Sequence, residues 1–129
     1  EGMGAKRVIL LKVRGAFHSR QMEDAKKGLQ AALQKVSIKV PGCVFVPNVT
    51  ARPESDPEQI RILLGEQVTH SVRWIETIEE ARRQKIERLI EVGPGRVLKG
   101  LVRRIDPSLE VLSFEKVSDL EGIASHVTR

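Results

Sequence analysis

Three histidines, one cysteine and a scatter of serines are the side chains here that could accept a proton or act as a nucleophile near neutral pH. His18 stands out by its setting. It follows the apolar run Arg7–Val13, sits among the small residues Gly15, Ala16 and Ser19, and immediately precedes a helical pattern. Loops that leave a strand and enter a helix are where α/β scaffolds fix and expose catalytic groups. A neutral imidazole there is either a general base for a hydroxyl, worth roughly 10²–10⁴ in rate, or a plain polar loop residue. His70, in Gln67-Val68-Thr69-His70-Ser71, and His126, in the terminal segment, read as structural or solvated. No HxH or HExxH spacing joins the three, so no metal site is expected.

A base needs something to activate. In α/β-type acyl-transfer enzymes the serine nucleophile stands in GxSxG, where a tight strand-turn-helix bend thrusts the hydroxyl out of the sheet. None of the serines has that context, and Gly15-Ala16-Phe17-His18-Ser19 is not the motif, because its serine is in fifth place. Cys43 lies within Cys43-Val44-Phe45-Val46, which reads as a buried strand, so the thiol is expected to be inert packing. The Gly93-Pro94-Gly95 turn resembles phosphate-cradling loops only loosely, having neither GxGxxG nor GxxxxGK[ST] spacing, and reads as a tight turn. After it, Arg96, Lys99, Arg103 and Arg104 form a cationic face, either solvated or a docking surface for an acidic partner.

The elements that would position these residues alternate. Arg7–Val13 is a strand of buried type. Ser19 can cap a helix from Arg20 to Val36, with Met22, Ala25, Leu29, Ala32, Leu33 and Val36 on one stripe. After the Pro41-Gly42 turn comes the Cys43–Val46 strand, interrupted by Pro47. Asp56-Pro57-Glu58-Gln59 is a strong helix start, with Ile60, Leu63, Leu64 and Val68 inward. Ser71 can cap a further helix, with Val72, Ile75, Ile78 and Ala81 inward. Arg88–Val92 is a strand, followed by a helix burying Val97, Leu98, Leu101, Val102 and Ile105 until Pro107 ends it. Val111–Phe114 is a last strand, and Asp119–His126 a weak terminal helix. Strand and helix in alternation with short loops argue for an α/β architecture and a largely parallel sheet. A sequence that opens on a buried-type strand suggests the continuation of a larger fold.

Composition narrows the classes. The 129 residues, 40% apolar and 30% charged, are enough for one ordinary domain with a real core. No apolar run is long enough to span a membrane, the N-terminal residues lack signal-peptide features, and one cysteine cannot form an internal disulfide. A cytoplasmic setting is expected, with no membrane partner. The net charge of +5 reflects either a solvated basic surface or an acidic partner. One Trp, three Phe and no Tyr, with no reading motif, argue against a nucleic-acid partner.

The order of the segments is more specific than any one of them. GAFHS is followed by an R-x-M-E helix, then V-x-N-V-x-A-R-P, D-P-x-x-I-R-x-L-L, Q-V-x-x-x-V-R-W and I-E-V-G-P-G-R-V-L-x-G-L-V-R-R-I. In this the chain resembles the C-terminal portion of the malonyl-CoA:acyl carrier protein transacylases, from about Gly4 to Ile105.

That resemblance implies a ping-pong transfer in fatty acid biosynthesis. A serine in a GHSxG elbow takes malonyl from malonyl-CoA, and the phosphopantetheine thiol of acyl carrier protein then collects it. By resemblance His18 is the base for that serine and later the acid for the leaving thiol. The backbone carbonyl of Gln67 orients its ring, and Asn48 shapes the pocket rim or a turn. The family fold is an α/β-hydrolase-like core with a small ferredoxin-like lobe inserted. Residues 1–14 would end that lobe, and residues 15–129 would be the C-terminal part of the core. Acyl carrier protein is acidic, which would make Arg96, Lys99, Arg103 and Arg104 its docking surface. No cofactor is implied, the CoA thioester being substrate.

The family's nucleophile, glycine-rich oxyanion segment and carboxylate-gripping arginine all lie upstream of Glu1. The chain alone is therefore expected to be inactive and to need the N-terminal portion of the same enzyme. Family precedent and the lack of linkers favour a free-standing enzyme. Two positions depart from the family pattern: Asp24, where proline is common, and Pro47, where a small polar residue is common. The alternative is a non-catalytic domain that binds carrier protein or lends a structural half to another chain.

Overall fold

A computed structural model of the chain describes Gly4 and residues 15–119. The expected strand Arg7–Val13 and the expected terminal helix, apart from Asp119, lie outside the described residues, as does His126. Two compact units emerge, Glu1–Val49 with Glu54–Val72, and Thr50–Pro53 with Arg73–Arg129.

The first unit is built on two helices. Ser19 is extended, and its hydroxyl accepts from the Gln21 N–H, opening a single 3-10 turn, Arg20–Met22, that runs into α1, Glu23–Leu33. Asp56 caps α2, Pro57–Glu66, by accepting from the Glu58 N–H at 2.8 Å, with Pro57 at the first helical position, where a missing N–H costs nothing. Lys26 meets Glu66, Gln30 meets Gly65, and Arg61 donates to the carbonyls of Leu33 and Val36. Rising numbers on α1 face falling numbers on α2, so the helices run antiparallel. Gly65 permits the close approach: a Cβ there would stand 2.9 Å from Gln30 Cγ. Only Ile60 and Gly65 of the two helices are fully buried.

The Cys43–Val46 strand is not formed. Phe45 makes one isolated antiparallel bridge with Glu54, Val44 is 61% exposed, and Cys43 is free and exposed rather than packed. Pro47, which has no N–H to donate, closes the segment, and its pairing stops at the Phe45–Glu54 bridge.

The second unit is a β-α-β arrangement with a helix in front: α3, Trp74–Arg83; β1, Arg88–Val92; α4, Val97–Ile105; and β2, Glu110–Phe114. The strands pair in parallel, from Arg88 opposite Glu110 to Val92 opposite Phe114, as the alternation of elements requires. Ile78, Val102, Leu109 and Val111 form the core, with Trp74, Leu89 and Ile105 against it. Two expectations fail here. Ser71 does not cap α3, which starts at Trp74 behind Arg73 with no side-chain cap. Val72, Ile75, Val97, Leu98 and Leu101 are exposed rather than inward. Among the described residues the sheet has two strands, and the narrow stripe that the core covers on the two helices is filled by Ile78 and Val102.

Candidate functional site

His18 is held in a conformation that its side chain disfavours. Its φ is +62°, in the left-handed region sparsely occupied by residues with a Cβ. Such strain persists where the surroundings over-determine it. Here the His18 N–H donates to the Val68 carbonyl at 3.0 Å, and Nδ1 stands 2.8 Å from the Gln67 carbonyl. On the following residue, the Ser19 hydroxyl donates to the Ala16 carbonyl at 2.6 Å, fastening the loop to itself.

The Nδ1 contact fixes a tautomer. A main-chain carbonyl only accepts, so Nδ1 must carry the hydrogen and the neutral ring presents Nε2 as its acceptor. The ring is exposed, so Nε2 can receive a proton from a group brought to it. This is the geometry of an oriented base whose orienting group is a carbonyl instead of a carboxylate.

The carbonyls come from the end of α2, where a helix leaves its last acceptors without internal partners. His70 Nδ1 takes the Glu66 carbonyl at 2.8 Å, the His18 ring takes that of Gln67, and the His18 amide takes that of Val68. Two histidines thus join Thr69, whose N–H and hydroxyl also donate to the Glu66 carbonyl at 3.1 and 3.2 Å, in closing the end of one helix. The His70 side chain is half exposed and makes the same kind of Nδ1 contact as His18, one residue earlier on the helix end. The Lys26 ammonium is 2.8 Å from the Glu66 carboxylate, and this hydrogen bond is the largest cause raising the lysine above its ordinary value near 10.5. A polar cavity of about 590 Å³ elsewhere, lined in part by Arg82, Lys85, Asp106 and Glu110, lies in the second unit, which does not contain His18.

Asn48 is half-buried in the turn that follows buried Pro47, and is not a hydrogen-bond partner of His18. Arg96, Arg103 and Arg104 are exposed and Lys99 is half-buried, all in the second unit, with Arg103 and Arg104 in the last turn of α4. There cations also complement the helix dipole.

Sequence reasoning missed Glu91. It is the penultimate residue of β1, only 8% exposed, and its carboxylate accepts from the Leu98 N–H at 2.9 Å and the Lys99 N–H at 3.2 Å. It therefore caps the N-terminus of α4, whose first N–H groups have no partner within the helix. The Gly93-Pro94-Gly95 turn, with Gly93 and Gly95 at φ +137° and +88°, brings that N-terminus back over the strand that carries Glu91. The signal was an acid at a strand position expected to be apolar, two residues before the turn. Asp106 is a second buried acid. Ser108 donates to it from both its N–H and its hydroxyl, and Arg82 lies 3.1 Å away, so its carboxyl is held below the usual value near 3.8.

Among the described residues no three His, Cys, Asp or Glu side chains group as metal ligands, and no helix is long and apolar enough to cross a membrane. Among the described residues no serine stands at a strand-turn-helix elbow.

No protein-family model matches the chain. It is 34% identical over 120 residues to the malonyl CoA-acyl carrier protein transacylase of Haemophilus influenzae, covering 93% of this chain and 38% of that one. It is 38% identical to the polyketide biosynthesis protein ThaF of Burkholderia thailandensis, covering 96% of this chain and 11% of that protein. Among solved structures, the acyl-carrier-protein-S-malonyltransferase of Bartonella henselae superposes with a TM-score of 0.87 at 40% identity, over 97% of this chain and 40% of that one. An equal TM-score, at 34% identity and with the same coverage, relates it to a malonyl-transacylase solved with its type II polyketide acyl-carrier protein. The chain thus spans about two-fifths of the length of the transacylases it matches. Homologues and structural neighbours alike are malonyl-CoA:acyl carrier protein transacylases, and the chain corresponds to the C-terminal portion of that family.

Proposed function

We propose that the chain is the C-terminal part of an enzyme that moves a malonyl group from CoA to the phosphopantetheine thiol of acyl carrier protein, through a malonyl-serine. In the first half-reaction His18 Nε2 takes the serine proton as Oγ attacks the thioester carbonyl. The tetrahedral intermediate then collapses, the C–S bond breaks, and His18 returns the proton to the CoA thiolate. In the second half the carrier thiol gives its proton to His18 and attacks the serine ester, and the proton returns to serine. The observation that carries this reading is the 2.8 Å contact between His18 Nδ1 and the Gln67 carbonyl, which leaves Nε2 as the base.

The serine would come from the N-terminal portion that relatives possess. The exposed apolar side chains of Ile75, Ile90, Val92 and Val97 are consistent with packing against further chain. Residues 1–14 would end a ferredoxin-like lobe, and residues 15–129 would belong to an α/β-hydrolase-like core. Asn48 would shape the pocket rim, and Arg96, Lys99, Arg103 and Arg104 would receive the acidic carrier; the neighbour solved with its carrier protein supports a carrier as partner. The reaction would need no cofactor and would take place in the cytoplasm. The test is His18→Ala in the complete enzyme, followed by the rate of malonyl-serine formation. A loss of roughly 10²–10⁴-fold is expected, and unchanged turnover would remove His18 from the mechanism.

A further inference from the structure

Two charged residues beside this site stand at the wrong ends of their own helices. Lys26 lies four residues into α1, near the positive pole, and Glu66 is the last residue of α2, at the negative pole. The helix dipole disfavours both placements. Their heads meet at 2.8 Å with side chains only 14% and 25% exposed, so each charge answers a disadvantage in the other helix. An exposed pair of flexible side chains contributes little, but this one is largely covered and held on both sides. Glu23 lies 3.9 Å from Lys26, and the His70 ring 3.4 Å from the Glu66 carboxylate.

The location matters more than the pair itself. Glu66 directly precedes Gln67, whose carbonyl holds the His18 ring, and Lys26 lies on the helix that the His18 loop enters. The other tie between the two helices, from Arg61 to the carbonyls of Leu33 and Val36, fastens the opposite end. Without Lys26, a carboxylate at the negative pole with only the His70 ring 3.4 Å away beside it would favour fraying of the last turn of α2. Fraying there displaces the Gln67 and Val68 carbonyls together, and with them both restraints on His18.

We propose that the Lys26–Glu66 ion pair is a positioning device, which holds the end of α2 against the start of α1 so that the Gln67 carbonyl meets the His18 ring. The catalytic part of this inference rests on the proposed role of His18, but the positioning part does not.

Long-range ¹H–¹⁵N spectra of the His18 imidazole in the 129-residue chain test the positioning. The parent is expected to show the Nδ1–H tautomer. Lys26→Met is expected to give a mixture of tautomers while the methyl signals of buried Ile60 remain dispersed. Lys26→Arg should keep the parent spectrum, and the exchanged pair Lys26→Glu with Glu66→Lys should restore it, so the proposal stays exposed to failure even if Lys26→Met does not fold. An unchanged Nδ1–H tautomer in folded Lys26→Met, or no recovery in the exchanged pair, overturns the proposal. In the complete enzyme, Lys26→Met should lower kcat for malonyl-serine formation by about 10- to 100-fold with KM for malonyl-CoA unchanged. A tautomer that shifts in Lys26→Met, together with full activity in His18→Ala, would uphold the positioning and sink the catalytic reading alone.

Discussion

The imidazole of His18 and the main-chain oxygen of Gln67, 49 residues apart in sequence, stand 2.8 Å apart at the end of α2. Because the partner is backbone, the side chain at position 67 is not what orients the ring. Gln67→Ala should therefore leave malonyl-serine formation close to that of the parent, whereas His18→Ala loses most of it. A Gln67→Ala loss as large as that of His18→Ala would mean that the side chain itself acts on substrate.

If the nucleophile lies outside this sequence, the chain should not be acylated by its substrate. Intact mass after brief exposure to malonyl-CoA is expected to stay near 14.4 kDa. The gain of one malonyl group would show that a residue of this chain, Cys43 being the exposed thiol, can serve as acceptor.

The carboxylate of Glu91 satisfies two N–H groups of the first turn of α4. Replacing it by Ala should cost about 1–3 kcal/mol of stability, the scale of buried donors left without partners, measured by urea unfolding. Because the vacated helix N-terminus would then suit an anion, sulfate should recover part of that loss in Glu91→Ala and add little to the parent. Equal response of both proteins to sulfate would argue against the capping role.

Asp106, lowered by hydrogen bonds from Ser108 and by Arg82, gives the fold an acid limit. Its folded value lies below its ordinary one, so its contribution is present above pH about 3.8 and is lost as pH falls through the folded value. Lys26 works in the opposite range. Its value is raised, so its contribution is present below about 10.5 and is lost as pH rises through the higher folded value. Asp106→Asn should flatten the acid limb of the urea midpoint against pH, and Lys26→Met the alkaline limb. Limbs parallel to those of the parent would contradict the assignments.

Arg103 and Arg104 supply the exposed positive charge at the end of α4. Reversing both in the complete enzyme should raise the apparent KM for acyl carrier protein, most clearly at low salt, where screening is weakest. No change at low salt would leave these residues with only their complement to the helix dipole.

Most elements were legible because their signals are local. Asp56-Pro57 announces α2 by its own side-chain chemistry, Pro107 ends α4, and the parallel pairing of β1 and β2 follows from the helix between them. Cys43–Val46 misled for the converse reason: four apolar residues make a strand only beside a partner, and whether a partner exists is not a local property. Val97, Leu98 and Leu101 have the spacing of a buried stripe, yet how wide a stripe is covered depends on the width of the sheet beneath it.

The alternation of elements, the place of His18 on a loop into a helix, and the likeness to the transacylases all follow from residue order. Packing brings the Gln67 carbonyl to the His18 ring, holds His18 at positive φ, and sets the Glu91 carboxylate over the first N–H groups of α4. Each of these joins residues distant in sequence, or the end of one element to the start of the next. Helical and strand periodicities report which way a residue faces, but the partner it meets is fixed by how the elements pack.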